Sequence, residues 1–486
     1  MLRFPRKVAA AIAPALLAAG LVAGVPAVAS AGTASCPSPI VPGDTVLCGS
    51  LADGATYLME VPPHWNKTLF LYSHGYVAPG SANPATDVGD PITGSWLLTH
   101  GYAIAGSSYS TTGWAIAQAL PDQIATLNLF DSQVGMPART IAWGHSLGGI
   151  ITAGLIQRYQ NRFSAALPMC GVLSGGVATW NTALDAAVAF QQLVDPSVQV
   201  VNITNPTANL TNAEQAAAAA QTTPQGRARI ALAAALGDTP GWYAPLSPEP
   251  APSNYAAQEL NQFQWDANID FPFIFAFRAE LEARAGGNPS WTTGVNFFNQ
   301  LAKSADLREV RALYKAAHLS LHADMLKLTM AARITAKPSA VRYLRNNISF
   351  NGKITIPVLT MHTIGDGLVV PENEQAYASV VRRAGRSFLL RQVFVSRAGH
   401  CAFTPAETIT AVRVLLHRLW TGHWNDSSLR PASMNAAAAA LGSMYNVFVS
   451  GGKLVPAAPM FRHYVPSLYP RPYNLTGATM GTRLRG

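Results

Sequence analysis

The segment TIAWGHSLGGI at residues 140–150 constrains this chain more than any other stretch. An apolar run, read as a strand over 138–145, stops at Gly144-His145-Ser146-Leu147-Gly148, and helical spacing begins at once over 147–163. A chain that passes from strand to helix through one serine turns so tightly that positions two before and two after it can hardly carry side chains. Gly144 and Gly148 meet that demand, and His145 falls inside the same turn. The corner lifts a hydroxyl above a helix N-terminus whose dipole favours developing negative charge. Ser146 is therefore the candidate nucleophile.

The surrounding pattern fits such a corner. TLFLYS (68–73), YAIAGSSYS (102–110), ARTIAWGH (138–145) and AALPMCG (165–171) read as strands, with helical patterns over 114–135 and 147–163 between them. Uninterrupted apolar strands alternating with helices indicate a mostly parallel sheet flanked by helices. Over 174–352 the rhythm gives way to Ala-rich helical stretches and a Pro-rich connector at 239–255. Trp180, Trp242, Trp265 and Trp291 fall in this block and read as the core of a helical subdomain. The sheet rhythm resumes with ITIPVLTMHTIGD (354–366), a helix over 373–385 and FLLRQVFVSRAGH (388–400). A last helix over 404–420 opens on Thr404, Pro405 and Glu407, which together signal a helix start. The chain thus divides into a leader (1–31), a first core part (32–173), a helical insertion (174–352), a second core part (353–424) and an extension (425–486). The extension reads as a helix and a short strand.

A serine hydroxyl is a weak nucleophile and needs a base, itself oriented by an acid. His400 ends the last strand of the core pattern, just before a capped helix, and is the expected base. Asp366 ends the preceding strand and is the expected acid, with Glu372 and Glu374 as nearby rivals. Two backbone N–H groups would stabilise the oxyanion: that of Leu147 at the start of the elbow helix, and that of Tyr76, where His74-Gly75-Tyr76 lets the main chain come close. His318 and His322 have zinc-protease spacing, but Leu319 stands where such a helix needs Glu. They read as ordinary helix residues, and neither metal nor cofactor is implied.

The first residues have the parts of a secretory signal: Arg3, Arg6 and Lys7, then an apolar run, then small residues at Ala27, Ala29 and Ala31. Charged residues make up only 12%, against about 25% in an average soluble domain, which suits an extracellular protein. The net charge of +9 is scattered, with no basic run of the kind that tracks phosphates, so nucleic acid is not an expected partner. Nothing after the leader reaches the roughly 18 apolar residues that a membrane span needs. The four cysteines invite two disulfides in an oxidising compartment. Cys36 and Cys48 would close a short loop, leaving Cys170 and Cys401 either paired or free and buried.

Strand–His-Gly, strand–Gly-x-Ser-x-Gly–helix, strand–Asp, strand–His, in that order, resembles the α/β-hydrolase superfamily over 55–172 and 354–422, most closely its secreted bacterial esterases and lipases. The resemblance implies an α/β-hydrolase fold, with the block at 174–352 inserted as a cap before the acid-bearing strand. It also implies hydrolysis through an acyl-enzyme without a cofactor, on a small-molecule or polymeric ester. In that fold Cys170, beside the elbow, could reach Cys401 and brace the His400 loop. Feruloyl esterases and tannases that tie serine to histidine use a Cys next to the Ser, and here that position is His145. An aminopeptidase-like enzyme, whose cap would bind an amine through Glu280, Glu282 or Asp270, and an acyltransferase remain alternatives. So does a binding protein without activity.

Overall fold

A computed structural model describes residues 36–450 and 452–473. The leader at 1–31 lies outside the described residues. Eight strands come first in the chain: β1 (Thr45–Ser50), β2 (Thr56–Val61), β3 (Thr68–Ser73), β4 (Ala103–Ser107), β5 (Arg139–His145), β6 (Ala165–Met169), β7 (Val358–Gly365) and β8 (Leu390–Ala398). Near the C-terminus follow β9 (Val447–Ser450), β10 (Lys453–Pro456) and β11 (Phe461–Arg462).

The main sheet has the order β1-β2-β4-β3-β5-β6-β7-β8-β11. From β4 to β8 every pairing is parallel, while β1, β2 and β11 add antiparallel edges. Strands β3, β4, β6 and β7 are buried throughout, as expected where helices cover both faces.

Alternation along each strand sorts the core into two layers. Leu69, Leu71 and Ala142 face one side with Ile150 and Ile151 of the elbow helix. Phe70, Tyr72, Ile141 and Trp143 face the other, with Ile409, Val412 and Leu415 of the helix Pro405–Thr421. That helix opens on the capping box expected of Thr404 and Glu407.

Ser73 pairs with Gly144, Gly144 with Pro168, and Gly365 with Ala398. The carboxyl ends of β3, β5, β6, β7 and β8 therefore finish along one rim, where open α/β sheets present their ligand sites.

Between Gly176 and Asn346 the described chain is helical, without a strand. It holds a separate core of Leu184, Phe190, Leu232, Phe275, Tyr314 and Leu328. The four tryptophans expected in that core lie elsewhere. Trp180 belongs to the sheet's layer and meets Trp114 edge-on at 5.5 Å; Trp291 packs partly against the same layer. Trp242 joins Ile364, Phe394 and Ala398, and Trp265 Nε1 donates to the Trp242 carbonyl at 2.9 Å. Alanines and phenylalanines pack the helices on one another, and the indoles lie in the wider seam between the helical block and the sheet.

Two smaller expectations are corrected. His318 and His322 do not share a helix: one ends at Ala316, the next begins at Leu321, and His318 sits between them with φ of 55°. The extension carries three strands rather than one, because β9 and β10 form a hairpin and β11 extends the main sheet beside β8. Among the described residues no helix is long and apolar enough to cross a membrane.

Candidate active site

The elbow has the geometry that its glycines imply. Ser146 adopts φ of 58° and ψ of −121°, a strained conformation for a residue with a side chain. A Cβ at position 144 would lie 2.4 Å from the Ser73 carbonyl oxygen, and one at 148 only 1.8 Å from the same atom. Gly149, which the motif does not explain, comes so near β6 that a Cβ there would sit 2.5 Å from Gly171 Cα. The Ser146 N–H donates to the Met169 carbonyl at 3.0 Å, locking the corner onto the neighbouring strand.

His145 points away from the serine's chemistry. Its Nδ1 meets the Tyr72 hydroxyl at 3.1 Å. Burial, and then the nearby His400, push its pKa down to about 4, so it stays neutral.

Asp366 is fully buried at the end of β7. His400 Nδ1 donates to its Oδ2 at 2.8 Å and lies 3.0 Å from Oδ1, while the Val369 N–H donates to Oδ1 at 3.0 Å. A buried acid bonded this way fixes the imidazole's tautomer and frees Nε2. The rivals are engaged elsewhere: Glu374 with His362, and Glu372 with the Ser467 hydroxyl at 3.1 Å.

Both expected disulfides are present. Cys36–Cys48 closes the N-terminal loop, and Cys170–Cys401 links the residue after Met169 to the neighbour of His400. The elbow and the histidine loop are thus tied through one covalent bridge. Among the described residues, Ser146 Oγ makes no hydrogen bond to His400 within 3.5 Å. Instead, His400 Nε2 lies 3.4 Å from Cys401 Sγ.

The Gly75 main chain passes alongside the serine, where a Cβ would be 3.5 Å from Ser146 Cβ and 4.0 Å from Oγ. His74 anchors this loop by stacking on Tyr109 at 4.0 Å and reaching the Ser108 carbonyl at 3.0 Å through Nε2. The N–H groups of Leu147 and Tyr76 make no hydrogen bond among the described residues.

One buried residue was missed at the sequence level. His362, four before Asp366, directs Nδ1 to Glu374 Oε1 at 3.1 Å and Nε2 to the Val369 carbonyl at 2.6 Å. Nε2 also stands 3.7 Å from Asp366 Oδ2. Burial alone would lower its pKa, but Glu374, Asp366 and the Val369 carbonyl together raise it. With oxygens at both ring nitrogens, His362 sits buried behind the acid in surroundings that favour its protonated form. Its signal was the spacing in MHTIGD, but Glu374, itself held by Gln392, reaches it only through the fold.

A strand–serine–helix corner after a central parallel strand, with Asp366 and His400 following the next strands along one rim, decides the fold. The chain has the α/β-hydrolase fold. No protein-family model matches it. Over 426 residues it is 27% identical to the o-phthalyl amidase of Xanthobacter agilis, covering 81% of this chain and 90% of that protein. Among solved structures it is similar to the rice cell wall degrading esterase LipA from Xanthomonas oryzae, with 14% identity and a TM-score of 0.35. That match covers 80% of this chain and 90% of the esterase. The Pyrococcus horikoshii acylaminoacyl peptidase matches at 8% identity and a TM-score of 0.33, over 74% of this chain and 37% of the peptidase.

A cavity of about 120 Å³ opens beside the elbow. Ser146 and Leu147 line it together with Tyr76, Trp114, Trp180 and Phe273, whereas His400 stands outside its wall. The cap supplies Phe273 and Phe277, whose rings lie 5.0 and 5.7 Å from that of Tyr76.

Proposed function

We propose that the protein is a serine hydrolase that cleaves a carboxylic ester through an acyl-enzyme. The observation that carries the reading is the Asp366–His400 pair, tethered by Cys170–Cys401 beside the strained Ser146. Ser146 Oγ attacks the ester carbonyl while its proton passes to His400 Nε2, and the unbonded N–H groups of Leu147 and Tyr76 hold the oxyanion. The carbon–oxygen bond to the leaving alcohol then breaks, and His400 returns the proton to that alcohol. Water, deprotonated by the same histidine, releases the acid and restores Ser146. The Ser146–His400 hydrogen bond forms as substrate enters, since catalytic contacts often tighten only in the complex.

The small, largely apolar cavity suits a compact acyl group rather than a long chain. Two disulfides support a working place in an oxidising, extracellular compartment. Amide cleavage is a second reading, favoured by the alignment with a protein named an amidase.

Turnover of p-nitrophenyl esters and matching anilides by the purified protein tests both readings. Short-chain or aromatic esters are cleaved faster than the anilides, and Ser146→Ala lowers kcat by about 10⁴-fold or more. Faster anilide turnover selects the amidase reading, and an unchanged rate in Ser146→Ala removes both.

A further inference from the structure

The cavity beside Ser146 contains groups that ester cleavage does not use. Into its aromatic wall the cap inserts two carboxyls, Asp266 and Asp270. Their exposure is only 6% and 7%. Asp270 Oδ2 has no hydrogen-bond partner, and the Asp266 side chain makes no hydrogen bond among the described residues. Among the described residues no Lys, Arg or His lines the cavity. Of the acidic cap residues named above, Glu280 pairs with Arg284 and Glu282 with Arg278 at 3.0 Å. Asp270 has no such cation.

The backbone at this point is also unusual. Asp266–Asp270 and Pro272–Phe277 are successive π-turns between the α-helices Tyr255–Trp265 and Arg278–Ala285. Pro272 lacks the N–H that a regular helix would use, so the ladder widens here.

A buried carboxyl without a partner stays protonated rather than charged. Burial, and then Glu259, push Asp266 up to about 8. Burial, Asp266 and Asp366 push Asp270 well above the usual range. Two such groups in one cavity, left without partners, gain little from an apolar ligand. A cationic nitrogen, by contrast, offers N–H donors to the carboxylates, displaces their protons to solvent, and rests against the faces of Trp, Tyr and Phe.

We propose that Asp266 and Asp270 form a binding site for a positively charged organic nitrogen, so that the preferred substrate carries an ammonium group close to its scissile carbonyl. The word substrate rests on the reading of Ser146 as nucleophile; the binding of the cation does not.

The test uses the full chain carrying Ser146→Ala, titrated near neutral pH with benzylammonium and with the neutral benzyl alcohol, and followed by calorimetry. Benzylammonium binds at least about tenfold more tightly than the alcohol, and Asp270→Asn removes that preference while leaving alcohol binding in place as the folding control. Equal binding of the two probes, or a preference that survives in both Asp270→Asn and Asp266→Asn, overturns the proposal. Because the Ser146→Ala chain needs no turnover, failure of ester cleavage alone would not remove a measured preference for the cation.

Discussion

At the scale of single residues, the proposed chemistry rests on how Asp366 is held and oriented. His362 stands 3.7 Å from Asp366 Oδ2, held by Glu374, and the charge that these neighbours favour on it lies beside the acid. Replacing both partners, as His362→Gln with Glu374→Gln, removes the charge without leaving a buried ion unpaired. The pair of changes lowers kcat/KM about tenfold and moves the acid limb of its pH profile to higher pH. A profile of unchanged shape at reduced height would mean that His362 only packs. The candidate triad was legible in the sequence because Ser146, Asp366 and His400 each close a strand, a position that local pattern reveals. His362 was not, because a histidine inside an apolar strand looks like core until its partners, Glu374 of the following helix and the Val369 carbonyl, are in place.

At the scale of elements, the buried strands were legible from their apolar runs, and the helix at Pro405–Thr421 from its cap. The π-turns at 266–277 were not. Their aromatic-rich sequence carries no helical signature, and only the three-dimensional ladder shows that the chain stays helical through Pro272. The hairpin β9–β10 was also missed, since four-residue strands give too few positions for alternation to show. The Cys170–Cys401 bridge spans 231 residues and joins the two parts of the core across the cap. Cys170→Ser with Cys401→Ser therefore lowers unfolding free energy in urea by about 2–4 kcal/mol. It lowers ester turnover further than the loss of folded protein explains, because the His400 loop loses its tether. Full activity in folded variant protein would reduce the bridge to a purely structural role.

At the scale of the whole molecule, buried carboxyls without cations shape the response to pH. Glu309 is 1% exposed; its Oε1 has no partner and its Oε2 accepts from Gln262 Nε2 at 3.1 Å. Burial, and then Asp306, push it from 4.5 up to about 9. A carboxyl raised in the fold gives stability that is present below its unfolded value and lost as pH climbs towards its folded one. Asp266, up to about 8, and the raised His362 act in the same direction. His145, lowered to about 4, acts oppositely, and its contribution is lost as pH falls below 6.5. The melting temperature accordingly declines from about pH 6 to about pH 9, and Glu309→Gln flattens that decline. Scanning calorimetry across this range reads both slopes.

The most direct measurement is mass spectrometry of the intact and digested protein after exposure to a fluorophosphonate. The account predicts one adduct per chain, on Ser146, absent in Ser146→Ala and formed far more slowly in His400→Ala. An adduct on another residue, or labelling of Ser146 at the same rate without His400, would contradict it.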